Sequence, residues 1–138
     1  MTPVIAGVGL RQQASAQALR QVLAAALDAA QAAQRQGGAA LSLRALASAA
    51  DKCGHPALLQ LARDLTLPLQ AVPLEQLSHQ AAQPSAHVPA RYGARSLAEA
   101  AALAAAGPGA VLAGGRHISA DGSATAAIAI PFSEDLTP

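Results

Sequence analysis

With 138 residues, 52% hydrophobic and 12% charged, the chain suits one domain with its own core and is too short for two. A formal net charge of +1, with Tyr92 and Phe132 as the only aromatics, supplies neither a basic field nor a stacking platform, which excludes nucleic acid as an expected partner. Cys53 is the sole cysteine, so an internal disulfide and a multi-cysteine zinc site are excluded as well.

The elements can be read in chain order. Val4-Ile5-Ala6-Gly7-Val8-Gly9 is an apolar run ending in glycines, which predicts a buried strand feeding a tight turn at 11–14. Ser15 is placed as an N-cap. Leu19, Val22, Leu23, Ala26, Leu27 and Ala30 then recur at helical spacing, with Gln17, Arg20, Asp28 and Gln31 on the other side, so an amphipathic helix is predicted up to Gly37-Gly38. Residues 40–47 read as a second strand and 48–55 as a loop. Pro56 is suited to the first position of a helix whose buried stripe is Leu58, Leu59, Leu61, Ala62 and Leu65. A third strand is predicted at 67–72, a short helix from Pro73 to about Ala81, and an irregular stretch at 82–94. Ser96-Leu97-Ala98-Glu99 is a capping-box sequence, opening a helix that Gly107-Pro108-Gly109 stops. Residues 110–113 and 124–130 read as strands with the turn signal Asp121-Gly122 between them, which predicts an antiparallel hairpin.

Strands alternating with helices predict a three-layer α/β/α domain over residues 1–130. Its sheet is expected to be mixed but mostly parallel, of about five strands, with an antiparallel hairpin at the C-terminal end. Residues 131–138 are expected to form a flexible acidic tail. The start of the chain carries no basic run of the signal-peptide kind, and no apolar run approaches the ~18 residues of a membrane helix. The expected setting is cytoplasmic, with no membrane partner.

Several blocks also match a known family. Val4-Ile5-Ala6-Gly7-Val8-Gly9-Leu10-Arg11 resembles its opening strand and turn. Residues 47–62 resemble a second block, with Lys52 at the position of a family lysine and Leu58-Leu59 on the helix that follows. Gln83-Pro84-Ser85-Ala86-His87-Val88 resembles a Thr-Pro-Ser-x-x-Val block. Gly93 with Leu97-Ala98-Glu99-Ala100-Ala101-Ala102-Leu103, and Arg116 with Ser123-Ala124-Thr125-Ala126-Ala127-Ile128-Ala129, resemble the two closing blocks. In this order and spacing, over residues 4–130, the chain resembles the CobE / CbiG C-terminal family of cobalamin biosynthesis proteins. It departs from the family pattern at His55, where many relatives carry an acid, and at Arg116, where lysine is more common. It also holds no counterpart of the long N-terminal region of two-part CbiG proteins. The resemblance implies a place in corrin-ring synthesis. In the two-part proteins the family activity resembles hydrolytic opening of a cobalt-precorrin lactone, and the standalone proteins leave the reaction open.

Corrin-pathway intermediates are macrocycles ringed by carboxylates. Holding one calls for cations and N–H donors, and arginine's planar fork suits a carboxylate. The expected ligand set is Gly7, Gly9, Arg11 and Ser15 in the first turn, Lys52 in the second, Ser85, His87 and Arg91 from the irregular stretch, and Arg116 from the hairpin. In open α/β sheets ligands collect at the carboxyl ends of strands, where both turns belong. Each feature also has a plainer reading. The glycines can serve only helix–strand packing, Ser15 only a cap, Lys52 and Arg11 only solvated surface, and Thr125 only strand pairing.

Three other chemistries compete with this reading. A dinucleotide fingerprint needs a third glycine where Gln12 stands. A serine hydrolase has Ser85 and His87, with Asp51 nearby in sequence to Lys52, but no Gly-x-Ser-x-Gly elbow. Cys53 beside Lys52 and His55 has the neighbours of a thiol with a lowered pKa, and it equally suits a small apolar filler. His55, His79, His87 and His117 have no ligand spacing, so no metal and no cofactor are expected. The reading is a protein that binds a precorrin or hydrogenobyrinic-acid-type tetrapyrrole as carrier or accessory, with other pathway enzymes as a second class of partner. The alternatives are a hydrolase of a precorrin lactone and a docking partner of a pathway methyltransferase.

Overall fold

The first apolar run becomes strand β1, Thr2–Leu10, buried from Val4 to its end because it is central in its sheet and covered on both faces. The computed structural model describes residues 2–33, 40–73, 75, 76 and 97–131. Helix α1 spans Ala16–Ala33, β2 Leu41–Ala49, α2 Pro56–Leu65, β3 Leu69–Val72, α3 Leu97–Ala106, β4 Val111–Ile118 and β5 Ala124–Ile130. The five strands lie in the order β3-β2-β1-β5-β4. β1 pairs in parallel with β2, and β2 with β3, while β5 runs antiparallel to both β1 and β4. Four strands therefore point one way and β5 alone returns, which is the mixed sheet expected.

The helices cover both faces. α1 and α2 cover one, where Leu19, Leu46, Leu58, Leu61, Ile128, Val4 and Val8 are sealed from water. Burying each of these large side chains stabilises the fold by about 1.5–3 kcal/mol. An ion pair on the outside, Arg20 to Asp64 at 2.6 Å, joins α1 to α2. Both groups are well exposed, so it adds little. The other face meets α3 through alanines: Ala45, Ala47 and Ala49 of β2 lie against Ala100 and Ala101.

Two boundaries differ from the sequence reading. β2 continues through Ser48 and Ala49, which were expected in a loop; Ser48 is tolerated at a buried position because its hydroxyl donates to the Val8 carbonyl at 2.6 Å. The chain then turns through a short 3-10 segment, Ala50–Lys52. β4 is longer than the predicted 110–113, because Gly114 and Gly115 do not end the strand. They form a bulge with φ of 78° and 76°, and pairing resumes at His117. A side chain at Gly114 would meet the backbone of Ala29 and Ala30, so the bulge also lets β4 approach α1. The predicted ends of the first helix at 37–38 and of the helix after Pro73, the irregular stretch 82–94 and the tail from residue 132 lie outside the described residues. Among the described residues no helix is long and apolar enough to cross a membrane.

Candidate functional site at the carboxyl edge of the sheet

β1 and β2 each deliver their turn to the same edge of the sheet, since the strands are parallel. Arg11, exposed, opens the turn after β1, and Lys52, half-buried, closes the 3-10 segment after β2. The turn between β4 and β5 reaches the same edge, because β5 starts opposite Leu10 and the Arg11 N–H donates to the Ser123 carbonyl at 2.8 Å. α1 and α2 both begin there as well. The first turn of α3 joins them: a Cβ placed on Gly9 would lie 3.8 Å from the Ala98 nitrogen and 3.9 Å from the Leu97 Cβ. Three helices thus direct their first turns, with their positive dipole ends, to one rim.

The turns are tied to each other. Ser15 caps α1, its hydroxyl oxygen accepting from the Ala18 N–H at 3.1 Å. His55 caps α2, its Nδ1 accepting from the Ala57 N–H at 3.1 Å. The Nε2 of the same ring lies 2.8 Å from the Gln12 carbonyl oxygen, so it carries the proton and donates. Among the described residues the carboxylates of this edge include Glu99 in the first turn of α3 together with Asp51 and Asp121. Asp51 precedes Lys52 and is exposed. Asp121 accepts from the Ser119 hydroxyl at 2.6 Å, the Ser123 N–H at 3.0 Å and the Ser123 hydroxyl at 2.7 Å. These bonds, the Ser119 one first, lower its pKa to about 2.

Arg11, Ser15 and Lys52 are brought to one edge. Gly7 and Gly9 are not in the turn but inside β1, because the strand runs on to Leu10. At Gly7 a Cβ would lie 1.9 Å from the Ala98 carbonyl oxygen, so that glycine is required for α3 to seat on the sheet. Gly9 is nearer the rim, with the Thr125 hydroxyl 3.5 Å from its carbonyl oxygen. Arg116 is exposed in the β4 bulge, on the outer edge strand and three strand spacings from β2, about 14 Å away at ordinary spacing. Ser85, His87 and Arg91 lie outside the described residues. The Cys53 thiol departs from the lowered-pKa reading: burial first, and then the charge of Asp51, raise its pKa. Its Sγ sits 3.5 Å from the Ala49 carbonyl oxygen, in the manner of a small filler.

Sequence reasoning missed His55 and Leu97 at this edge, while Thr125 pairs within its strand opposite Gly9 as expected. The Pro56 that marks the helix start makes residue 55 the N-cap, so His55 was legible as a cap; its bond to Gln12 was not. Two shallow hollows flank the outer side of α2, lined by residues including Leu59 and Arg63, and neither takes in Arg11 or Lys52. Among the described residues no group of three or more His, Cys, Asp or Glu side chains could hold a metal ion.

These features define a three-layer α/β protein with a mixed five-stranded sheet whose helix first turns and cation-bearing loops gather at one edge. Comparison with known proteins gives the family. The chain belongs to the cobalamin synthesis G C-terminus family, whose model matches residues 4–129. It is 34% identical to CobE, a protein from the cobalamin (vitamin B12) biosynthetic pathway, over 96% of this chain and 93% of that one, with a TM-score of 0.69. It is 33% identical to the cobalamin biosynthesis protein chiG from Agrobacterium tumefaciens, over 94% and 99% of the two chains, with a TM-score of 0.64. A cobalamin biosynthesis protein G homolog from Sulfolobus solfataricus shares the fold at 17% identity and a TM-score of 0.64; 95% of this chain matches 37% of that longer one. No curated protein matches the chain.

Proposed function

We propose that the protein binds a carboxylate-ringed tetrapyrrole of the corrin pathway at the carboxyl edge of its sheet, as a carrier or accessory to the enzymes that modify the ring. The observation that carries this reading is the convergence on that edge of the Arg11 and Lys52 turns with the first turns of α1, α2 and α3. A polycarboxylate gains from each of these features: guanidinium and ammonium groups donate charge-assisted bonds, and helix N-termini favour negative charge. The edge is also where ligands collect in open α/β sheets. Asp121 is held within its own turn, its Oδ1 accepting from Ser119 and Ser123. Membership of a cobalamin biosynthesis family supplies the ring chemistry that such an edge would meet.

The test is to incubate the purified protein with a panel of corrin intermediates and to follow absorbance and mass. Uptake of an unaltered pigment is expected. The double variant Arg11→Ala/Lys52→Ala is expected to bind about tenfold more weakly or worse, from the loss of two charge-assisted contacts. Equal affinity in a folded double variant overturns the site. A change in pigment mass replaces the carrier by an enzyme such as a lactone hydrolase.

A further inference from the structure

We propose that His55 is a positioning residue that sets the spacing between the Arg11 turn and the Lys52 turn. The inference deepens the proposed tetrapyrrole site and rests on it for its ligand.

The evidence is the use of both ring nitrogens. Nδ1 accepts from the Ala57 N–H at 3.1 Å and so fixes the imidazole to the start of α2. Nε2 donates to the Gln12 carbonyl at 2.8 Å and so fixes the same ring to the turn after β1. The backbone continues the tie on both sides. The His55 N–H donates to the Lys52 carbonyl at 3.0 Å, and on the far side of Gln12 the Arg11 N–H donates to Ser123 at 2.8 Å. Lys52, His55, Gln12, Arg11 and Ser123 therefore form a continuous line of bonds along the rim, across the ends of β2, β1 and β5. Only the imidazole side chain spans the gap between the two cation-bearing turns in this line.

Few side chains can do this. Capping a helix requires an acceptor, and reaching Gln12 requires a donor on the opposite side of the same group. Neutral histidine with its proton on Nε2 has both. An aspartate would cap but would repel the Gln12 oxygen. An asparagine caps as well as any residue, yet is too short to cap and reach Gln12 together. Histidine at this N-cap thus couples two loops, where the usual capping residues would serve one helix only.

The asparagine variant separates the roles. His55→Asn is expected to keep the cap, and with it the melting temperature of the wild type, while His55→Ala loses both cap and tie. Without ligand, nitrogen-15 spectra of the imidazole are expected to show the Nε2-protonated tautomer. Amide hydrogen exchange over residues 11–14 is expected to speed up several-fold in His55→Asn. An Nδ1-protonated ring, or unchanged exchange, overturns the proposal. With hydrogenobyrinic acid as probe, His55→Asn is expected to bind several-fold more weakly at unchanged stability. Equal affinity in the two proteins overturns the positioning role. If even the wild type leaves the pigment unbound while the exchange results hold, the tetrapyrrole reading fails and the tie between the turns stands.

Discussion

On the side of α1 and α2 the sheet is covered by large aliphatic side chains; on the side of α3 it is covered by alanines and by the absence of a side chain at Gly7. The first face is held by area, since Leu19, Leu46, Leu58 and Leu61 each remove a large apolar surface from water. The second buries little per residue and relies on close approach, where dispersion contacts between backbone and methyl groups replace bulk. The same closeness brings the first turn of α3 beside Gly9 and hence to the rim. Stability is concentrated on one face, and on the other the position of a helix near the candidate site depends on one glycine.

This contrast can be broken by substitution. The largest effect is expected for Gly7→Ala. A single Cβ at 1.9 Å from the Ala98 oxygen cannot be relieved by a rotamer change, so α3 must lift from the sheet. A loss of about 4 kcal/mol or more is expected in a urea unfolding curve. A soluble variant with an unchanged midpoint would mean that α3 is not seated as described. Leu58→Ala comes next, at about 2–5 kcal/mol, from lost transfer energy and the cavity left between α2 and the sheet. A cost below that range would show that the leucine face can collapse and is not held by packed area.

The smallest effect is expected where neither helix layer is involved. Asp121 lies in the exposed turn after β4, and its folded pKa of about 2 is below the ordinary 3.8. A depressed carboxylate pKa contributes stability that is present above the unfolded value and is lost as pH falls through the folded one. Melting temperature is therefore expected to decline between pH 4 and about 2, and Asp121→Ala is expected to flatten part of that decline. Carbon-13 titration of the carboxyl group checks the pKa directly. A pKa near 3.8 would break the account of the Ser119 and Ser123 bonds.

The residue pattern made much of this legible. Helical spacing of Leu19, Val22, Leu23 and Ala26 located α1, Ser15 located its start, and Pro56 located α2, because these are local signals with local causes. The edge location of Arg11 and Lys52 followed from the order of strands and helices, since each sits just after a parallel strand. What failed locally was punctuation. Gly7, Gly9, Gly114 and Gly115 all look like strand ends. The first two lie within a strand under a helix, and the last two form a bulge against α1. A glycine reports that a side chain is absent, and only the neighbouring element shows why.

The sequence by itself determined the elements, their alternation and the mixed character of the sheet, because hydrophobic period, caps and turn residues act over a few positions. Only the tertiary structure decided that α3 presses on Gly7, that β5 sets the 119–123 turn beside Arg11, and that His55 reaches Gln12. Those contacts join residues 40 to more than 90 positions apart. Their geometry depends on strand order and interlayer distance, which no short window of sequence records.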